Sequence, residues 1–295
     1  MTQPPDASAA PHLRRTFLFT ALALVCFAGN SLLCRLALAP RSIDAVSFTA
    51  VRLTSGALVL FALARGRATP RSGSALSGVV LFAYAAPFSF AYLRLGAGLG
   101  ALILFGAVQA TMIGWGLARG ERPGPLVWLG LVLALGGLAG LAAPGATSPD
   151  LVGMAAMTAA GVGWGVYSLR GRLSSGSPIA ANAANFAYSM PFVAVLLVGA
   201  AWLAGLHASG RGVLLAVLSG AVASGVGYSL WYAALPRLTA TRAAVLQLLV
   251  PVLAAGGGVG LLDERLSPRL LMTGAAILGG VALAVRGRAT AARPA

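Results

Sequence analysis

From Thr16 to Arg286 the chain is a succession of apolar segments, each about twenty residues long, separated by short breaks of Gly, Pro, Ser and Arg. Hydrocarbon offers no water to bond exposed N–H and C=O groups, so a chain that crosses it must be helical or form a closed barrel. Barrel strands alternate apolar and polar residues with a period of two. These segments do not alternate, and their length suits helices spanning about 30 Å of hydrocarbon. The expected spans are 16–38, 43–64, 75–94, 97–118, 124–143, 151–170, 178–204, 212–235, 238–262 and 267–286. The fold class expected is therefore all-α integral membrane. Only 9% of the 295 residues are charged, against roughly a quarter in a soluble domain, and no large soluble domain fits beside ten spans. The 23-residue run from Thr16 to Leu38 is longer than the core of a signal peptide and is read as an uncleaved first span.

All 21 basic residues are Arg and only six residues are acidic, a net charge of +15. In a soluble domain that excess would point to nucleic acid. In a membrane chain it is first a topology signal, because Arg collects in cytoplasmic loops. With the N-terminus in the cytoplasm, thirteen Arg fall inside and six outside, so both termini are expected there. The lipid bilayer, and no nucleic acid, is the expected environment. Arg52 and Arg242 remain within spans and are expected to snorkel to the interface or bond backbone carbonyls, with contact to a substrate carboxylate as the alternative. Cys26 and Cys34 lie eight residues apart on one helix, too far for a disulfide. His12 and His207 have no Cys near them in sequence, so no metal and no cofactor is expected.

The chain also repeats itself. Residues 119–137 lie over 262–280 at an offset of 143, with identities at Glu121/Glu264, Arg122/Arg265, Pro125/Pro268, Leu135/Leu278 and the glycine pairs 136–137/279–280. The same offset puts Arg94–Leu95 on Arg237–Leu238, and Ala28–Gly29 aligns with Trp164–Gly165 at 136. The domain plan expected is a cytoplasmic tail (1–15), a first five-helix repeat (16–143), a second (151–286) and a C-terminal tail (287–295). Five is odd, so the second unit enters the membrane inverted. Inverted repeats are a recurring design of secondary transporters, with the binding site near the midplane between the halves.

The ten-helix plan with a Glu-Arg element before its fifth and tenth helices resembles the EamA-type transporters of the drug/metabolite transporter superfamily. Residues 82–114 and 219–255 are similar to the bacterial aromatic amino acid exporter branch. The resemblance implies a monomeric exporter of small metabolites in a bacterial inner membrane, with a central cavity formed by both repeats.

Polar residues at depth are expected to face protein or a cavity, and few exist. The substrate-binding residues expected are Asn30, Tyr84, Tyr92, Gln109, Trp164, Tyr228, Trp231 and Gln247. Asn185, Tyr188, Tyr167 and Tyr232 are polar within spans as well, while Trp115, Trp128 and Trp202 are read as interfacial anchors. Aromatic faces with amide and hydroxyl groups suit a neutral or zwitterionic small molecule, an amino acid or a similar metabolite. Neutral or cationic drug-like compounds, or a non-transporting assembly role, stand as alternatives. An enzyme is not expected, because no nucleophile–base pair lies at depth. No Asp, Glu or His is mid-span, so facilitated diffusion or coupling through substrate charge is expected. Gly136/Gly140, Gly161/Gly165 and Gly256/Gly260 have the spacing of helix-packing glycines. Pro87, Pro191 and Pro251 are expected to kink their helices.

Overall fold

A computed structural model describes residues 9–38, 40–95, 97–142, 150–203, 205–262, 268–287 and 289–290. Ten helical rods make up these residues. They are α1 (Ala9–Leu38), α2 (Ala45–Ala64), α3 (Ala75–Tyr92), α4 (Ala97–Ala118), α5 (Pro125–Ala142), α6 (Leu151–Arg172) and α7 (Pro178–Leu203). Rod α8 is composite, running through Gly210–Leu218, a π-helical stretch Ser219–Val226 and Gly227–Ala234. Rod α9 comprises Ala240–Gln247 and Leu249–Leu262, and α10 is Pro268–Arg286. Six rods are long and apolar enough to cross a bilayer, and the other four contribute apolar stretches at 103–118, 125–137, 240–254 and 271–284. The ten expected spans are all present, with α1 beginning seven residues earlier than its apolar run.

Helix starts are held by side chains that accept the first free N–H groups. Asp44 caps α2, with Oδ1 accepting the Ser47 N–H (2.8 Å) and Oδ2 accepting the His207 N–H (2.7 Å) from the loop before α8. Burial pushes its carboxyl up, but the bonds from Ser47 and His207 outweigh that and hold it below the usual carboxylate range. Asp150 caps α6 through the Gly153 N–H, and that bond together with Arg94 at 2.9 Å also lowers its pKa. Glu121, at the α4–α5 junction, reaches across to α9, where its two oxygens accept the N–H groups of Ala240 and Thr241 and the Thr241 hydroxyl. The carboxylates among the described residues thus all sit at helix N-termini, where the helix dipole favours negative charge.

The sequence repeat has a direct counterpart in packing. Helices α5 and α10 pack so closely that Gly130 meets the Gly280 carbonyl and Gly137 meets the Thr273 carbonyl. The offset of 143 carries Gly130 to Thr273 and Gly137 to Gly280. Exchanging the two helices therefore turns one contact into the other, as a pseudo-two-fold axis between inverted repeats requires. A two-residue antiparallel pairing of β1 (Arg122–Pro123) with β2 (Ala289–Thr290) ties the α4–α5 junction to the segment after α10, on the face where α1 begins and α10 ends. The opposite face is tied by the Ile43–Ala208 bridge and by Arg94–Asp150. The second Glu-Arg element, Glu264–Arg265, lies outside the described residues.

The glycine spacing was only partly a guide to packing. Gly161 and Gly165 press α6 onto α4 at Leu104 and Thr111, and Gly140 meets Thr273. Gly136 and Gly256 instead have no heavy atom within 4 Å of where a Cβ would stand, because they face away from their neighbours. The side of Gly260 lies outside the described residues. Thermal unfolding of purified protein is expected to separate the two classes. Gly130→Ala should cost about 1–3 kcal/mol by overpacking the α5–α10 crossing. Gly256→Ala should be neutral or stabilising by up to about 1 kcal/mol through helix propensity.

Candidate substrate-binding site

Helices α1, α3, α6 and α8 bring four rings together at mid-depth. Trp164 lies 4.7 Å from Tyr228, 5.1 Å from Tyr84 and 5.0 Å edge-on from Phe27, centroid to centroid. Local backbone explains the closeness: Gly163 has no Cβ to hold off the backbone of Tyr84, so α6 and α3 meet where their rings meet. Burial of polar ring atoms requires partners. The Trp164 Nε1–H donates to Gln247 Oε1 at 2.5 Å, and Gln247 Nε2 donates to the Ala243 carbonyl at 3.2 Å.

The two helices that deliver these groups from the second repeat are irregular at this depth. Pro251 has no N–H for the carbonyl of Gln247, and α9 is interrupted at Leu248, directly after Gln247. In α8 the π-helical stretch carries Ser219, which donates to Asn30 Oδ1 at 2.5 Å, and Ser224, which accepts from Arg52. Irregular backbone at membrane depth is tolerated where protein buries it and recurs at transporter sites.

Phe27, Asn30, Ser31, Tyr84, Phe88, Leu104, Phe105, Trp164, Tyr228 and Val250 line a cavity of about 20 Å³. That is room for about one water and far below the several hundred Å³ of a small-molecule site. Toward the face where α1 begins and α10 ends, a polar pocket of about 290 Å³ is lined by Arg71, Ser74, Ser77, Arg170, Asn185 and Tyr232 among others. Tyr232 also borders a pocket of about 220 Å³ beside Arg15 and Arg237. Between pockets and cavity stands a buried network in which Tyr167 donates to Asn182 Oδ1 and Tyr232 donates to the Tyr167 carbonyl.

Of the eight expected residues, Asn30, Tyr84, Trp164 and Tyr228 line the cavity, and Gln247 holds Trp164. Tyr92 lies one layer out, edge-on to Phe88 at 4.8 Å. Trp231 is fully buried but donates to Ser168 and does not line the cavity. Gln109 Nε2 donates to the Ala244 carbonyl at 2.8 Å, leaving its buried Oε1 with no partner among the described residues. Phe27 and Phe88 were outside a search for polar residues.

The largest departure from expectation is Arg52. It does not snorkel: the residue has 0% exposure. Its Nε donates to Ser224 Oγ (2.9 Å), and its Nη2 donates to the hydroxyls of Tyr84 (3.0 Å) and Tyr228 (2.5 Å). Its Cζ stands 5.2 Å over the Tyr84 ring and 5.3 Å over that of Phe88. Nη1 has no partner among the described residues, and no described carboxylate touches the guanidinium. Arg242, by contrast, bonds a backbone carbonyl as expected, that of Gly287 at 3.4 Å. The arithmetic of depth carried the signal for Arg52. It stands seven residues from Ala45 and twelve from Ala64, roughly 10 and 18 Å along the axis, a long way for a side chain to reach water.

Residues 151–286, from α6 to α10, match the EamA-like transporter family. The chain belongs to that family. Over 273 residues, 92% of this chain and 94% of the relative, it is 54% identical to uncharacterized protein PA1977 of Pseudomonas aeruginosa. It also superimposes on a protein of known crystal structure with a TM-score of 0.75, covering 91% of this chain and 96% of that one. At 22% identity that likeness is one of fold. This EamA-like protein is thus a multi-pass membrane transporter, and its central aromatic cluster packs on a cation that no described carboxylate neutralises. A buried charge lacking an ionic partner is a burden on stability. Arg52→Met should therefore hold or raise the thermal midpoint, because the bond that the Tyr228 hydroxyl already donates to that of Tyr84, 3.3 Å, remains without the guanidinium. A fall of several degrees would instead mark Arg52 as a structural strut.

Proposed function

We propose that this EamA-like transporter exports small neutral or zwitterionic metabolites, amino acids with aromatic side chains foremost, by alternating access through the cavity between its repeats. The observation that carries this reading is the cage of Phe27, Tyr84, Trp164 and Tyr228 with Asn30 on its wall and Gln247 behind it. Flat rings offer stacking to an apolar group, and a few fixed amides and hydroxyls orient a polar one. The arginine distribution supports cytoplasmic termini, the family resemblance and the bacterial relative support an inner membrane, and the polar pockets around Tyr232 then become the entry side. A monomer suffices, because both halves of the cavity come from one chain.

Proton relays in carriers commonly use Asp, Glu or His at depth. The described carboxylates are all engaged at helix starts, which supports facilitated diffusion or coupling through the charge of the substrate. Neutral drug-like compounds suit the same rings, whereas Arg52 opposes a cationic ligand by like-charge repulsion.

Counterflow of labelled amino acids in proteoliposomes tests the reading. Exchange of aromatic amino acids is expected, falling by at least about tenfold in Trp164→Ala, in line with the loss of roughly 2 kcal/mol of ring contact and one hydrogen bond. Gln247→Ala should fall less steeply, because it acts on Trp164 rather than on the cavity. A full panel without any exchange would remove the proposal. An imposed pH gradient should drive no accumulation when voltage is clamped.

A further inference from the structure

Resting on the transport reading above, we infer that Arg52 is the receptor for a carboxylate on the substrate, which takes over the place that the Tyr84 and Tyr228 hydroxyls hold in this structure. The ligand class is narrowed from neutral or zwitterionic molecules to those that pair an apolar ring with a carboxylate.

Charge is the first ground. A guanidinium offers five N–H donors in a planar fork suited to a carboxylate. Here three bonds from two of its nitrogens go to neutral hydroxyls, and Nη1 has no partner among the described residues. Phenolic hydroxyls are weak substitutes for an anion, so the site is electrostatically incomplete without one. Position is the second ground. The guanidinium lies one side-chain layer behind the cavity, against Tyr84 and Phe88, and both of those rings are cavity walls. Its two phenolic partners, Tyr84 and Tyr228, are walls as well. Opening the cavity from about 20 Å³ to the size of a metabolite must move these rings, and moving them uncovers Arg52. Backbone is the third ground. Gly220, within the π-helical stretch, packs directly on the Arg52 carbonyl, and Ser224 of the same stretch holds Nε, so the head group keeps an anchor that is independent of the two tyrosines. An incoming carboxylate accepts from Nη1 and Nη2, and the displaced Tyr84 and Tyr228 hydroxyls bond each other or the carboxylate. No proton need be transferred.

The test compares 3-phenylpropionate with 3-phenylpropanamide, which share ring and chain and differ in charge. Each is titrated against purified full-length protein, and affinity is read from the rise in thermal midpoint. The acid is expected to bind at least about tenfold more tightly than the amide, the size of one charge-assisted hydrogen bond. In Arg52→Gln that gap should close to within about twofold, mostly by loss of acid binding. Should Arg52→Gln fail to accumulate, Arg52→Lys carries the test, and the gap should shrink because an ammonium lacks the planar fork. Equal binding of acid and amide, binding of neither, or an unchanged gap in both variants overturns the inference. Chloride replaces the acid in a further arm. If it alone gives the whole Arg52-dependent shift, the occupant is an inorganic anion and the carboxylate proposal falls. Acid-selective binding without counterflow would sink the transport reading and leave the anchor standing. Counterflow of aromatic amino acids and their amides at equal rates would do the reverse.

Discussion

Hydrocarbon cannot bond a backbone amide, and nearly every feature of this protein follows from that. Ten helices satisfy their own peptide groups along most of their length. Among the described residues regular backbone fails in two places at mid-depth, the π-helical stretch Ser219–Val226 and the break at Leu248, and other helices bury most of both. Enclosure is what makes them affordable, and it is also what makes them useful. A π-helical stretch turns Ser219 toward Asn30 and Ser224 toward Arg52, and a helix end at Gln247 presents an amide to Trp164. The irregular backbone and the polar side chains are one feature seen at two levels.

Charge is distributed by the same logic. Asp44, Asp150 and Glu121 stand at helix starts near the membrane faces, where free N–H groups and the helix dipole receive them. Glu121 does this between repeats, joining the α4–α5 junction to α9, with Arg172 3.5 Å from its Oε1. Arg52 is the exception, a cation at depth that aromatic faces and hydroxyls stabilise only in part. Proteins carry such burdens at functional sites, where stability is given up for chemistry that a ligand completes.

Much of the architecture was legible in the sequence because its determinants are one-dimensional. Span length follows from the run of apolar residues, and inversion follows from an odd helix count within a repeat marked by Glu121–Arg122. Tyr84, Trp164 and Tyr228 were found because polar atoms at depth are rare. What stayed hidden depends on which way a side chain points around its helix. Apolar residues line both the lipid and the interior faces, so nothing distinguished Phe27 and Phe88 from lipid-facing phenylalanines. Spacing selected Gly136 and Gly256, where an added Cβ would meet no neighbour within 4 Å, as readily as Gly161, and passed over Gly130. Trp231 has the right depth but turns to Ser168. Arg52 departs from the expected snorkelling because α3 and α8 close around its side chain, which the sequence of its own segment does not reveal.

A structure of the protein with an aromatic amino acid bound would test the account most directly. The ring is predicted to lie against Trp164 between Phe27 and Tyr228, with the carboxylate about 2.8 Å from the guanidinium nitrogens of Arg52 and the Tyr84 and Tyr228 hydroxyls displaced from it. An amino acid bound elsewhere, with Arg52 still held by both tyrosines, would contradict it.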